Sequence, residues 1–104
     1  MLVAVAKVEL YVPESHSLKA KRQVVRKVLD RVRARFKISA AEVGSQDLWQ
    51  KAELGFAYVT SDRSHGESVI RKVTRFVEDL YVAPVVSCQT DVLVVDQEEE
   101  WRSW

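Results

Sequence analysis

The chain has 104 residues, the size of one compact domain, so two independent hydrophobic cores are excluded. Its composition, 47% hydrophobic and 30% charged with a formal charge of +1, excludes a disordered polyelectrolyte and suits a soluble globule. Three glycines, two prolines and no apolar run near 18 residues exclude collagen-like, linker-like and helical membrane-spanning readings, and polar interruptions argue against a signal peptide.

From Leu2 to Val12, Val and Ala alternate with Lys7, Glu9 and Tyr11, the period-two pattern of a half-buried strand that Pro13 ends. Ser15 and Ser17 then offer N-caps for a helix from Leu18 to Phe36, with Leu18, Val25, Val28, Leu29, Val32 and Phe36 on one face. Ile38 to Gln46 and Lys51 to Ser61 read as a hairpin, with Gly44 to Leu48 as the turn. Asp62 and Ser64 open a second helix, in which Ser64 and Glu67 have capping-box spacing and Val69, Ile70, Val73, Val77 and Leu80 form a stripe. Pro84 closes that helix, and Val85 to Val95 reads as a fourth strand. Residues 1–96 are thus one domain, and 97–104 an acidic tail carrying Trp101 and Trp104. The order strand, helix, strand, strand, helix, strand predicts an α+β ferredoxin-like sandwich: a four-stranded antiparallel sheet with both helices on one face.

Strand parity predicts which face is left open. The even positions Leu2 to Val12 face the helices, together with Ala52, Leu54, Phe56 and Tyr58, and the same parity points Val86, Cys88, Val92 and Val94 inward. Val3, Val5, Tyr11, Gly55, Ala57, Val59, Val85, Leu93 and Val95 then face outward. So apolar a face is expected to be an interaction surface, and a homodimer or higher oligomer through Val3, Val5, Tyr11, Ala57, Val59, Leu93 and Val95 is its commonest use. The competing expectation is a lid formed by the Trp-containing tail.

Nine of the sixteen Lys and Arg residues lie between Lys19 and Lys37, against one acid, Asp30. Lys19, Arg22, Arg26, Arg33 and Lys37 recur along one helix flank for about 27 Å at 1.5 Å per residue. Lys19, Lys21 and Arg22 stand near the helix start, where each cation opposes the macrodipole by roughly 0.3 to 1 kcal/mol. Such a pattern points either to an anionic partner, RNA or the ribosome above all, contacting Lys19, Lys21, Arg22, Arg26, Arg33 and Lys37, or to neutralisation by Glu14, Glu42 and the acidic run from Asp96 to Glu100.

Two weaker signals compete. Gly55-Phe56-Ala57-Tyr58-Val59 and Leu10-Tyr11-Val12 resemble ribonucleoprotein motifs, but parity buries Phe56 and Tyr58, so we read the match as coincidental. For catalysis, His16, His65 and Cys88 are isolated and none has metal-site or nucleophile spacing; no metal, cofactor or catalytic residue is expected, although a dyad assembled in space stays open. Cys88 is expected to pack in the core and, being single, to fit a reducing cytoplasmic compartment. Trp49 is expected to pack over the hairpin edge. The absence of asparagine and the single methionine suit a heat-adapted source.

Ser15-His16-Ser17-Leu18-Lys19-Ala20-Lys21-Arg22 followed by Val24-Val25, and Gln46-Asp47-Leu48-Trp49-Gln50-Lys51-Ala52-Glu53-Leu54-Gly55, resemble the two hallmark segments of the YlxP-like family of small bacterial proteins of unassigned function. The resemblance spans nearly the whole chain up to the acidic tail. It implies a ferredoxin-like fold and genes placed beside those for transcription antitermination, translation initiation and a ribosome-binding factor. The matching positions Ser15, Ser17, Lys19, Lys21 and Arg22 at the helix start, and Asp47, Trp49 and Gln50 at the hairpin, form a polar anion site if the two segments converge. Two functional readings follow: a noncatalytic RNA- or ribosome-associated accessory protein, or an oligomeric small-ligand or enzymatic module with a pocket at the sheet-face interface.

Overall fold

A computed structural model describes residues 1–13 and 16–95. Ser15, Glu14 and the acidic Trp-containing tail lie outside the described residues. The elements are β1 (Leu2–Tyr11), α1 (Leu18–Arg35), β2 (Ser39–Gly44), β3 (Lys51–Thr60), α2 (Arg63–Asp79) and β4 (Val85–Val94). The sheet runs β2-β3-β1-β4 and every neighbouring pair is antiparallel. α2 packs across β1, β3 and β4, while α1 lies over β2 and beside α2, so both helices cover one face. This is the ferredoxin-like sandwich that the element order predicted.

The core forms where the two periodicities meet. Ala4, Ala6, Val8 and Leu10 of β1 and Ala52, Leu54 and Phe56 of β3 supply alternate positions, and Val25, Val28, Leu29 and Val32 of α1 with Ile70, Val73 and Val77 of α2 supply the helical stripes. Ser17 is the N-cap of α1, its hydroxyl accepting from the Ala20 N–H at 3.1 Å. α2 starts earlier than its capping-box spacing predicted. Asp62 caps it by accepting from the His65 N–H at 3.1 Å, so Ser64 already lies inside the first turn.

β4 departs from simple parity. A register shift between Glu9 and Leu10 places Val85 opposite Leu10 and leaves Val86 as the extra residue of a bulge. Val85 therefore packs against the core, and Val86 is 53% exposed, the reverse of the expected assignment. Beyond the bulge the parity returns, with Cys88 opposite Val8 and Val92 opposite Ala4. Cys88 and Val94 are nevertheless exposed, because β4 is an edge strand that the helix layer only partly covers. The expectation that Cys88 packs in the core is thus corrected.

Gly66, in the first turns of α2, is buried against the sheet. A Cβ there would lie 2.9 Å from Thr60 Cγ2 and 3.2 Å from Ala4 Cβ, so the absence of a side chain is what lets the helix approach β1 and β3. Replacing Gly66 with Val should destabilise the fold by about 1–3 kcal/mol through overpacking. Urea unfolding checks this as a lower midpoint with an unchanged slope.

Candidate functional site

The helix layer carries the charge. Along α1, Lys19, Arg22, Arg26, Lys27, Arg31, Arg33 and Arg35 are exposed, and Arg63, Arg71, Lys72 and Arg75 extend the cationic surface onto α2. These eleven cations face four exposed acids on the two helices, Asp30, Glu67, Glu78 and Asp79. The contribution of α2 escaped the sequence reading because its cations are interleaved with acids along the chain. Two arginines are held in place: Arg33 donates through Nη2 to the Ala40 carbonyl of β2 and lies 3.8 Å from Asp30. Arg35 lies 5.4 Å above the Phe76 ring, which in turn meets Phe36 edge-on at 5.6 Å. Lys37 follows the helix and is exposed.

Lys21 does not belong to this surface. It is 1% exposed, its Nζ donating to the Ser45 carbonyl at 2.5 Å and lying 2.9 Å from Glu42 Oε2. The expected phosphate contact is corrected to an internal tie: the helical period turns Lys21 toward β2 while Lys19 and Arg22 turn outward. Glu42, expected to neutralise the basic face, is engaged by this one buried ammonium.

Ser45 links the tie to the opposite face of the sheet. It adopts a left-handed conformation with φ 56°, and its hydroxyl donates to Glu53 Oε2 at 2.6 Å. Glu53 also pairs with Lys7 at 3.1 Å, and Lys51 pairs with Glu9 at 3.3 Å. Glu9 and Glu53 stand directly opposite one another, a like-charge pair that the two lysines offset. The Ser45 hydroxyl first and Lys7 second hold the Glu53 carboxyl below the usual carboxylate range.

The two hallmark segments do converge: His16 of the first lines one cleft with Leu48, Trp49, Gln50 and Lys51 of the second, and Lys21 bonds Ser45, which immediately precedes the second. The Val12 N–H donates to the Gln50 carbonyl at 2.8 Å, and Gln50 Nε2 donates to the Pro13 carbonyl at 3.4 Å. Tyr11, His16, Leu48, Trp49, Gln50 and Lys51 line an open cleft of about 580 Å³ at this end of the sheet. Trp49 is 52% exposed there, so about half of its surface is left open to the cleft. Of the expected polar site, Ser17 is occupied as a helix cap, Gln50 lies in the cleft wall and Asp47 is exposed outside it. The cations Lys19, Lys21 and Arg22 do not act as a trio, since Lys21 is buried.

On the open face, Val3, Val5, Ala57, Val59, Leu93 and Val95 occupy one end of the sheet, and Val59 is the most exposed of them at 62%. Val43 leans over Gly55, where a Cβ would come within 2.8 Å of its Cγ1. Tyr11 is separated from this apolar group by the charged quartet Lys7, Glu9, Lys51 and Glu53, and belongs instead to the cleft. Phe56 is buried, and the Tyr58 hydroxyl is 2.9 Å from His65 Nε2 on the helix side, so the aromatics of the ribonucleoprotein-like segment face away from the open surface. Partial desolvation first and Glu78 second push the Cys88 thiol up, away from the reactive thiolate, although the side chain is exposed at the sheet edge. Among the described residues no group of three or more His, Cys, Asp or Glu could hold a metal ion. No helix among them is long and apolar enough to cross a membrane.

Residues 3–90 match the family model described as a protein of unknown function, DUF503. The chain belongs to that family. Both hallmark segments fall within the matched residues, as the resemblance to YlxP-like proteins implied. The chain is 35% identical over 77 residues to the uncharacterised protein YlxP of Bacillus subtilis (strain 168), covering 74% of this chain and 84% of that one. Among solved structures it is similar to a de novo designed protein with ferredoxin fold, with a TM-score of 0.57 at 14% identity over 94% of this chain and 89% of the design. A second de novo design, Foldit4, gives a TM-score of 0.50 at 8% identity over 91% of this chain and 98% of that one. These likenesses show the fold alone.

The buried tie is testable without knowing the function. Lys21→Met should cost about 3 kcal/mol because Glu42 is left half-enclosed and unpaired, whereas Lys21→Met with Glu42→Leu should recover most of that loss. Thermal or urea unfolding of both variants reads the difference.

Proposed function

We propose that this protein is a noncatalytic, cytoplasmic, RNA- or ribosome-associated accessory protein that grips phosphate through its helix layer. The observation that carries this reading is the excess of exposed cations on α1 and α2, which the described acids do not offset. The burial of Lys21 sharpens it. Lys21, paired with Glu42, is withdrawn from the surface, and the outward cations Lys19, Arg22, Arg26 and Arg33 are left to define a flank, joined by Lys37 beyond the helix end. A flank of this length, about 20 to 27 Å, spans several consecutive phosphates of a nucleic-acid backbone. The gene neighbourhood implied by the family resemblance supports RNA over other polyanions.

The apolar end of the open sheet face supports pairing with a second copy. Three strands of ten residues and the six-residue β2, at about 3.3 Å per residue and about 4.8 Å between strands, give the whole open face roughly 570 Å², so a standard interface of roughly 800 Å² per partner would use the entire face and its rim, the apolar end forming the centre. A twofold dimer through Val3, Val5, Ala57, Val59, Leu93 and Val95 would leave both helix layers facing outward, each free to meet RNA.

Two variants separate these parts. Arg22→Glu with Arg26→Glu should lower affinity for a short single-stranded RNA at least tenfold at low salt while leaving the sedimentation coefficient unchanged. Unchanged RNA affinity would turn the reading toward a small-ligand module at the sheet face. Ala57→Glu should convert the dimer to a monomer in sedimentation at micromolar concentration, and a wild-type protein that sediments as a monomer would contradict the pairing.

A further inference from the structure

We propose that the cleft between Tyr11 and Trp49 is a stacking site for one unpaired base of single-stranded RNA. This rests on the RNA-binding reading and deepens it: the helix layer supplies phosphate affinity, and the cleft supplies a preference for unpaired bases.

Trp and Tyr side chains bury 150–250 Å² each when covered, so several exposed neighbours in one cleft together offer a sizeable contact surface for a flat ring. Trp49 is 52% exposed, Leu48 51% and Tyr11 45%, and these three line the same cleft. They are presented on a fixed frame rather than a loose loop. The Leu48 N–H donates to the Ser45 carbonyl at 3.0 Å, and the two bonds from Val12 and Gln50 clamp the link between β2 and β3 against the end of β1. The Ser45 carbonyl is the same group that holds the buried Lys21 ammonium, so the platform is tied directly to α1. A platform held in place before binding loses little entropy when a ring stacks on it.

The surroundings favour an anionic chain carrying the ring. His16 and Lys51 line the cleft, Lys51 lying 3.3 Å from Glu9. His16 is followed at once by the cap residue Ser17 and by exposed Lys19 and Arg22 in the first turns of α1, whose first turn contains no acid. The cation flank therefore begins at the cleft wall. A strand with one base on Trp49 meets cations along its adjoining phosphates, and a duplex, whose bases are already stacked on one another, gains nothing from the cleft. An apolar protein segment could cover Trp49 as well, but it would make no use of the adjoining flank.

The test compares, on the full chain by fluorescence anisotropy, an eight-nucleotide oligouridine RNA with a ribose-phosphate chain of the same length and charge that lacks bases. The wild type should bind the base-bearing strand about tenfold more tightly. Trp49→Ala should remove that ratio, Trp49→Phe should keep most of it, and Arg22→Glu with Arg26→Glu should weaken both strands alike. Because Trp49 is half exposed, circular dichroism should show all variants folded. Equal affinity of the wild type for the two strands, or a ratio that survives Trp49→Ala, overturns the stacking site while leaving phosphate binding intact. Failure of both strands to bind overturns the underlying RNA reading, and loss of the dimer in Trp49→Ala assigns the cleft to a second copy instead.

Discussion

A single buried ammonium ties the molecule together. Lys21 leaves α1, crosses to the β2 side of the sheet and ends between the Ser45 carbonyl and the Glu42 carboxylate. Its desolvation is tolerable only because a charge and an aligned acceptor meet it there. The turn that presents Ser45 also presents Trp49, and its hydroxyl reaches through to Glu53 on the opposite face. The position of the first helix, the conformation of the turn and the shape of the cleft at the end of the sheet therefore depend on one interaction. That dependence gives a physical reason for the two hallmark segments of the family to occur together, since one contributes the lysine and the other adjoins its acceptor.

Charge is divided between the layers. On the open face of the sheet, two lysines and two glutamates neutralise one another in diagonal pairs, β4 adds exposed Ser87, Gln89 and Asp91, and the end of the face beyond Asp91 is apolar. On the helix layer the described cations outnumber the acids almost three to one. A net charge of +1 is thus the sum of a weakly acidic sheet face, a basic helix face and acids elsewhere, four of which lie between Asp96 and Glu100. Under the proposed function the same division would separate two kinds of contact, a copy of the chain at the apolar end of the sheet and phosphate at the helix layer.

The fold was legible because it is written in periodicity. Alternation in β1 and β3 and the apolar stripes of both helices identify the buried residues almost one by one, and the order of elements leaves few topologies. β4 was less legible, since the bulge at Val86 inverts parity at one residue and an edge strand stays exposed even on its inward side. The site was harder to see. Lys21 looks like its neighbours in a run of cations, and only its position relative to Glu42 and Ser45, distant in sequence, marks it as buried. Trp49 likewise reads as ordinary hairpin packing, and only the contacts between β1 and the β2–β3 link show that its exposed half lines a cleft with Tyr11 and Leu48. Short-range patterns report on elements, whereas both of these properties arise from contacts between elements.

The proposed binding of RNA phosphates by the helix layer is tested most directly by the salt dependence of wild-type affinity for a short single-stranded RNA. Contacts to about five phosphates would give a slope of about −3.5 for the logarithm of the association constant against the logarithm of salt concentration. A slope in that range supports the account. Binding that is flat in salt, or no binding at 50 mM salt, would contradict it.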